Sequence, residues 1–245
     1  MDSGYYAATA GLAAQSQALE LVAHNIANLA TTGYRGQQST FRSLLTGSTG
    51  WVSASALNSA VNNFGVLSGS RLDLTPGNLV ATGNPLDVGI GGGGFLEVQQ
   101  GPDTLYTRAG DMHLTAERLL VTSQGNPVLG ELGPVTLPNG SVAISSDGTI
   151  SVEGAVVDKL RLAEFSPATN LTALGDANYS APPNSALIPT TSSVHQGALE
   201  GSNVSPTEGV VQLIMVQRNT DMLARALTAI DGSLNQIAVQ DLPKV

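Results

Sequence analysis

The chain has 245 residues, 42% of them hydrophobic but only 4% aromatic and 12% charged, with 28 glycines. This is the composition of an ordered, small-residue-rich protein, suited to close repeated packing rather than to deep pockets. Ten Lys and Arg against nineteen Asp and Glu give a net charge of −9; the scattered cations argue against a nucleic-acid or anionic-lipid partner, and the absence of cysteine excludes disulfides, thiolate metal sites and a cysteine nucleophile.

The first residues, Met1-Asp2-Ser3-Gly4-Tyr5, lack the cationic and apolar regions of a secretory signal, and no stretch approaches the ~20 apolar residues of a membrane span. From Tyr5, apolar residues recur at Ala8, Leu12, Leu19, Val22, Ile26 and Leu29 in steps of three and four, with Gln15 at one seam position. This heptad stripe predicts a helix of about 25 residues. Asp2 or Ser3 can cap it, and Thr31-Thr32-Gly33 ends it, Gly33 being free to turn left-handed. Asn25 and Asn28 can bond backbone groups near the helix end.

Residues 36–70, rich in Ser, Thr, Asn and Ala, read as a linker or extended connector. Over residues 71–166 the period shortens. Leu86-Asp87-Val88-Gly89-Ile90, Phe95-Leu96-Glu97-Val98, Val142-Ala143-Ile144 and Thr149-Ile150-Ser151-Val152 are predicted strands, separated by turn signals such as Thr75-Pro76-Gly77-Asn78 and Asp147-Gly148, as in a central β domain. Inside it, Gly89-Ile90-Gly91-Gly92-Gly93-Gly94 satisfies the dinucleotide fingerprint literally. No helix follows to hold a pyrophosphate, so the run reads as a tight turn or bulge. Arg108, met alone, reads as a surface arginine. Residues 167–200, with Pro182-Pro183 and Pro189, read as a connector returning to the helical region.

The last segment opens on Ser205-Pro206-Thr207-Glu208, an N-cap serine, first-turn proline and capping-box glutamate. Leu213, Val216, Leu223, Leu227, Ile230, Leu234 and Ile237 then keep a seven-residue frame, with Thr220 its one polar member. Gly209 and Gly232 each cost about 1 kcal/mol in a helix interior, so this helix needs a partner. The fold class is therefore mainly β: a central β domain flanked by N- and C-terminal helices, residues 1–35 and 201–245, that pair as a coiled coil. An intramolecular hairpin and pairing between subunits are both open readings of the stripes.

His24, His113 and His195 stand apart, and there is no metalloprotease, nucleophile-elbow or P-loop motif. The expectation is a non-enzymatic structural protein with no cofactor, metal or small-molecule substrate.

Several runs carry a resemblance. Val22 to Arg35, read as Asn25-x-x-Asn28-x-x-Thr31-x-Gly33-Tyr34, is similar to the signature of the flagellar basal-body rod and hook protein family. So are Thr75-Pro76-Gly77-Asn78-Leu79, Pro85-Leu86-Asp87-Val88, Tyr106-Thr107-Arg108-Ala109-Gly110, and Gln196-Gly197-x-Leu199-Glu200-x-Ser202-Asn203-Val204. The match runs essentially end to end. It implies a self-assembling rod subunit that is exported by the flagellar type III apparatus without a cleaved signal, polymerises in the periplasm with other rod subunits and with itself, and transmits torque. It also implies that Leu12, Leu19, Val22, Ile26, Leu29 and the C-terminal frame form the assembly interface, with Asn25, Asn28, Thr31, Gly33, Tyr34 and Asn203 at the junction. Chain length and the absence of a long extension after residue 45 favour a proximal over a distal rod or hook-type member. A secreted β-rich binding module is the reading outside the family. Thr220, where the family commonly has an aromatic, and Gly209 depart from its pattern.

Overall fold

Residues from Asp2 onward are rich in Ala, Gln and Leu and free of proline, and in the computed structural model they run as one helix, Asp2–Ala27. The structure describes residues 2–41, 67–166, 169–183, 185, 187–189 and 191–240. A second helix, Pro206–Gln240, opens on its first-turn proline with Glu208 beside the positive end of the dipole. The chain divides into two compact units, one of residues 1–26, 37–70 and 206–245, the other of 27–36 and 71–205.

In the first unit the C-terminal helix shows its frame directly. Gly209 is buried, Leu213, Val216, Thr220, Leu223 and Leu227 are half-buried, and every other residue between 206 and 229 is exposed. Thr220 is satisfied in place, its hydroxyl donating to the Val216 carbonyl at 2.8 Å. The side chains of Tyr5, Ala8, Ile230, Leu234 and Ile237 lie outside the described residues. On the N-terminal helix the burial reaches beyond the expected stripe. Ala14, Ala18 and Val22 are buried, while Leu12, Gln15, Leu19 and Ile26 are only half-buried. The reason is close approach: a methyl on Gly11 would lie 3.6 Å from Leu223 Cδ1, and one on Gly209 would lie 3.0 Å from Ile26 Cγ1. These two contacts run in opposite senses along the helices, so the pair is antiparallel, with small residues admitting large ones. Strand Gln37–Phe41 pairs with Leu67–Leu72, so the ends of the expected 36–70 linker are a ladder; residues 42–66 lie outside the described residues.

The second unit is all short strands. Its largest sheet has six antiparallel strands in the order Thr172–Gly175, Asn178–Ser180, Asp103–Thr107, Gly94–Gln100, Leu162–Phe165, Leu187–Ile188. Gly94–Gln100 is buried on both faces, and alternation sends Leu96 and Val98 into one core with Leu120, Val128, Val135 and Ile150, while Phe95 meets Phe165, Tyr179 and Leu72 in another. The expected strands at 86–90, 95–98, 142–144 and 149–152 correspond to Val88–Gly91, Gly94–Gln100, Val142–Ile144 and Thr149–Val152.

Residues 167–200 are not a connector. They supply five strands, of which Ser193–Gln196 pairs with Val88–Gly91 and Ala198–Glu200 with Leu79–Ala81. These strands are short and Ser/Thr/Asn-rich because they join the ladders mainly by backbone hydrogen bonds; Tyr179 and Val194 are their buried anchors.

The hairpin Thr149–Lys159 offers a direct check of this layering. Ile150 is fully buried, whereas Val156, two residues from Ile150's partner Asp158, is 73% exposed. Ile150→Ala is expected to lower unfolding stability by about 2–5 kcal/mol in urea titrations, and Val156→Ala to stay within about 0.5 kcal/mol of the parent.

Candidate functional site

Three charged side chains far apart in sequence, Arg35, Arg108 and Glu200, are fully buried together. Each arrives by a different route within the second unit. Gly33 turns the chain with a φ of 67°, and its N–H donates to the Glu200 carbonyl at 2.7 Å. A side chain there would fall on the peptide joining Arg108 to Ala109, so the turn that delivers Arg35 admits only glycine. Arg108 follows the strand Asp103–Thr107, and Glu200 ends the strand Ala198–Glu200.

The Glu200 carboxylate is shared. Its Oε1 accepts from Arg35 Nη2 at 2.6 Å and from the Gly77 amide at 2.7 Å; its Oε2 accepts from Arg108 Nη1 at 2.9 Å. Arg108 also donates to the Ile90 and Gly92 carbonyls at 3.2 and 2.7 Å and sits 4.9 Å over the Phe95 ring. Burial pulls the Arg108 guanidinium below its ordinary value, and Glu200 opposes that shift. Tyr179 completes the shell: its hydroxyl accepts from the Arg35 amide at 2.8 Å and donates to the Gly33 carbonyl at 3.4 Å. Burial pushes the phenols of Tyr34 and Tyr179 each up to about 12.

Asn203 ties the outgoing chain to the same place. Its Oδ1 accepts from the Gly36 amide at 2.7 Å, and its Nδ2 donates to the carbonyls of Asp73 and Thr75 at 2.9 and 3.0 Å. The segment leading from the N-terminal helix, the body of the β unit and the segment leading to the C-terminal helix thus meet at one carboxylate and one amide. This arrangement is a fastening: it ties both outgoing segments to the β unit.

Of the junction residues expected from sequence, Gly33, Tyr34 and Asn203 lie in this cluster. Asn25 forms a reciprocal pair with Gln37 in the helical unit, donating to its carbonyl at 2.8 Å and accepting from its amide at 2.9 Å. Asn28 and Thr31 bond to one another across the turn, Thr31 Oγ1 donating to Asn28 Oδ1 at 3.0 Å. The reading of Arg108 as a surface arginine is corrected: it is completely buried. Glu200 and Arg35 fell inside the quoted motifs without being singled out, the signal being an isolated acid and an isolated base each beside a turn glycine. Tyr179 carried no signal, since it lies in the stretch read as a connector. The seam residues Leu12, Leu19, Ile26, Leu29, Leu213, Val216, Leu223 and Leu227 are half-buried and Val22 is buried.

The chain matches three family models: flagella basal body rod protein over residues 6–35, flagellar hook protein FlgE/F/G D1 domain over 89–152, and flagellar basal body rod FlgEFG protein C-terminal over 195–240. It is similar to the flagellar basal-body rod protein FlgF of Salmonella typhimurium, 33% identical over 97% of this chain and 98% of that one. It is also similar to FlgF of Caulobacter vibrioides, 30% identical over all of both chains. Flagellar basal-body rod protein FlgG of Agrobacterium fabrum is 32% identical, covering 91% of this chain and 94% of its own.

Glu200→Gln keeps the shape but leaves two buried cations without their anion, and is expected to cost about 3–5 kcal/mol of unfolding stability in denaturant titrations. Tyr34 and Tyr179 set an alkaline limit. Both hold their protons to about pH 12 when folded, while unfolded tyrosines ionise near 10, so stability present below pH 10 falls between 10 and 12. Each tyrosine contributes a slope of up to about 1.4 kcal/mol per pH unit, and Tyr179→Phe should remove its share from a stability-against-pH curve.

Proposed function

The chain belongs to the flagellar basal-body rod protein family and is a structural subunit of that rod, and from this premise we propose that it builds the proximal rod, assembling through paired terminal helices to transmit torque. The observation that carries the reading is the convergence of both chain ends on Glu200. Arg35 and Glu200 lie 165 residues apart and meet at 2.6 Å with no exposure to solvent, which fixes where each end leaves the β unit. Such a subunit needs this, because load entering along the helices must reach the β body through covalent chain held at a defined point.

Coiled-coil pairing of the helices is supported by the three-and-four spacing of half-buried positions on the C-terminal helix. As a structural rod protein it is not an enzyme. Its partners are other rod subunits and further copies of itself, and it reaches the periplasmic rod through the flagellar type III apparatus without a cleaved signal. No described helix is long and apolar enough to cross a membrane. Relatives among both FlgF and FlgG make a distal-rod subunit the second reading, and full-length alignment with FlgF chains favours the first.

A chain lacking residues 2–27, expressed in flagellated cells whose own copy is deleted, is expected to be made and to fold its β unit yet be absent from isolated basal bodies, with swimming lost. Incorporation equal to that of the complete chain would defeat the assembly role given to the helices.

A further inference from the structure

The chain holds one Asn-Gly pair, Asn139-Gly140. It lies in an exposed turn, residues 138–141, between the buried Leu137 and the strand Val142–Ile144. Both flanks of the turn are fastened. Arg118 donates from Nε to the Leu137 carbonyl at 3.0 Å and from Nη2 to the Pro138 carbonyl, and the Ser141 amide donates to Glu153 Oε1 at 2.6 Å. Between these ties, neither Asn139 nor Gly140 takes part in a hydrogen bond with a described residue. No protein group holds the Asn139 carboxamide, and the Gly140 N–H has water to bond to.

The fold requires glycine at 140. Its φ of 146° is a backbone conformation that side chains disfavour, and a Cβ there would lie 2.7 Å from Glu153 Cγ and 2.8 Å from Val152 Cγ1. The residue after Asn139 is therefore the one that leaves the carboxamide carbon open to attack by the next peptide nitrogen. Other positions show the contrast. Asn84 and Asn126 precede prolines, which have no N–H to give up. Asn25 and Asn203 each hold a backbone amide and a backbone carbonyl through their carboxamides. Asp147-Gly148 has the same kind of sequence, but its carboxylate accepts from the Thr149 amide and hydroxyl at 3.2 and 2.8 Å.

We infer that Asn139 is a modification site, at which the folded chain deamidates without an enzyme. The Gly140 nitrogen attacks Asn139 Cγ, the Cγ–Nδ2 bond breaks, and Nδ2 leaves as ammonia with the proton given up by the Gly140 N–H. Water then opens the five-membered imide at one of its two carbonyl carbons. Opening at the main-chain carbonyl gives isoaspartate, whose main chain is one carbon longer; opening at Cγ gives aspartate. Neither oxidant nor reductant is consumed. Both products add a negative charge to a chain that already carries −9, close to Glu153. Isoaspartate also lengthens the link between Leu137 and Ile144, which are anchored in one core, and so works against the pairing of Val142–Ile144 with Thr149–Val152. The reaction runs one way and quickens as pH rises, because the attacking nitrogen must lose its proton.

The test holds the purified full-length chain in warm, mildly alkaline buffer for days and reads each asparagine by digestion and mass spectrometry. A gain of one mass unit is expected at Asn139, divided between aspartate and isoaspartate, at a rate within tenfold of that in a synthetic peptide of residues 135–143. Asn25 and Asn203 in the same digests should lag at least tenfold behind it. Asn139→Gln should keep its mass over the same period. Conversion of Asn139 a hundredfold slower than in the peptide, or no faster than that of Asn25 and Asn203, overturns the inference, as does a product that lacks isoaspartate.

Discussion

A single carboxylate with no access to water, Glu200, binds two guanidiniums from widely separated earlier points of the chain. Taking three charges out of solvent costs several kcal/mol apiece, and a packed apolar trio of equal volume would often be as stable. What an apolar trio would lack is direction. Glu200 accepts from two arginines and an amide, Arg108 in turn requires two backbone carbonyls, and any slip of one segment strands a buried charge. The cluster works as a register lock, and it does so between residues 92 and 165 positions apart, where local propensity has no influence.

The glycines follow from this lock. Gly33 lies against the Arg108 backbone, and Gly92, at φ 99°, turns its carbonyl onto Arg108. The run that imitates a dinucleotide fingerprint is thus the reverse of a phosphate cradle: it presents carbonyl oxygens to a cation, where a nucleotide loop presents amides to an anion. Ser192, Ser193 and His195 pack beside Gly91 and Gly92, so a side chain at Gly91 would have to push Ser193 and His195 aside, and one at Gly92 would also strain a left-handed backbone.

Periodicity was legible where one helix face meets one partner. On the C-terminal helix the frame positions Leu213, Val216, Thr220, Leu223 and Leu227 are the half-buried ones, and exposed positions separate them. On the N-terminal helix the leucines misled. Besides Val22, which the stripe contains, Ala14 and Ala18 are buried, since the facing helix supplies the bulk with Leu223, and a pattern of large apolar residues does not reveal seam positions filled by small ones. The strands of 172–200 were hidden for a related reason: all but Asn178–Ser180 are edge or two-stranded pieces, and their sequence carries turn residues and few apolar ones. Arg108, Glu200 and Tyr179 could not be paired from sequence at all, because the motif around each is local and the partnership is not.

The C-terminal helix is covered only in part. Between residues 206 and 229 the C-terminal helix fully buries only Gly209, and its seam is half-open along the rest. A helix so held is marginal in a single chain, and any partner that binds the helical form adds stability by mass action, about 2.7 kcal/mol at a hundredfold excess over its dissociation constant. The β unit, by contrast, has closed cores and an internal ionic lock that need no neighbour. Two kinds of packing are thereby separated within one chain: the β unit closes on its own contacts, and the helices leave part of their burial to be supplied by a partner.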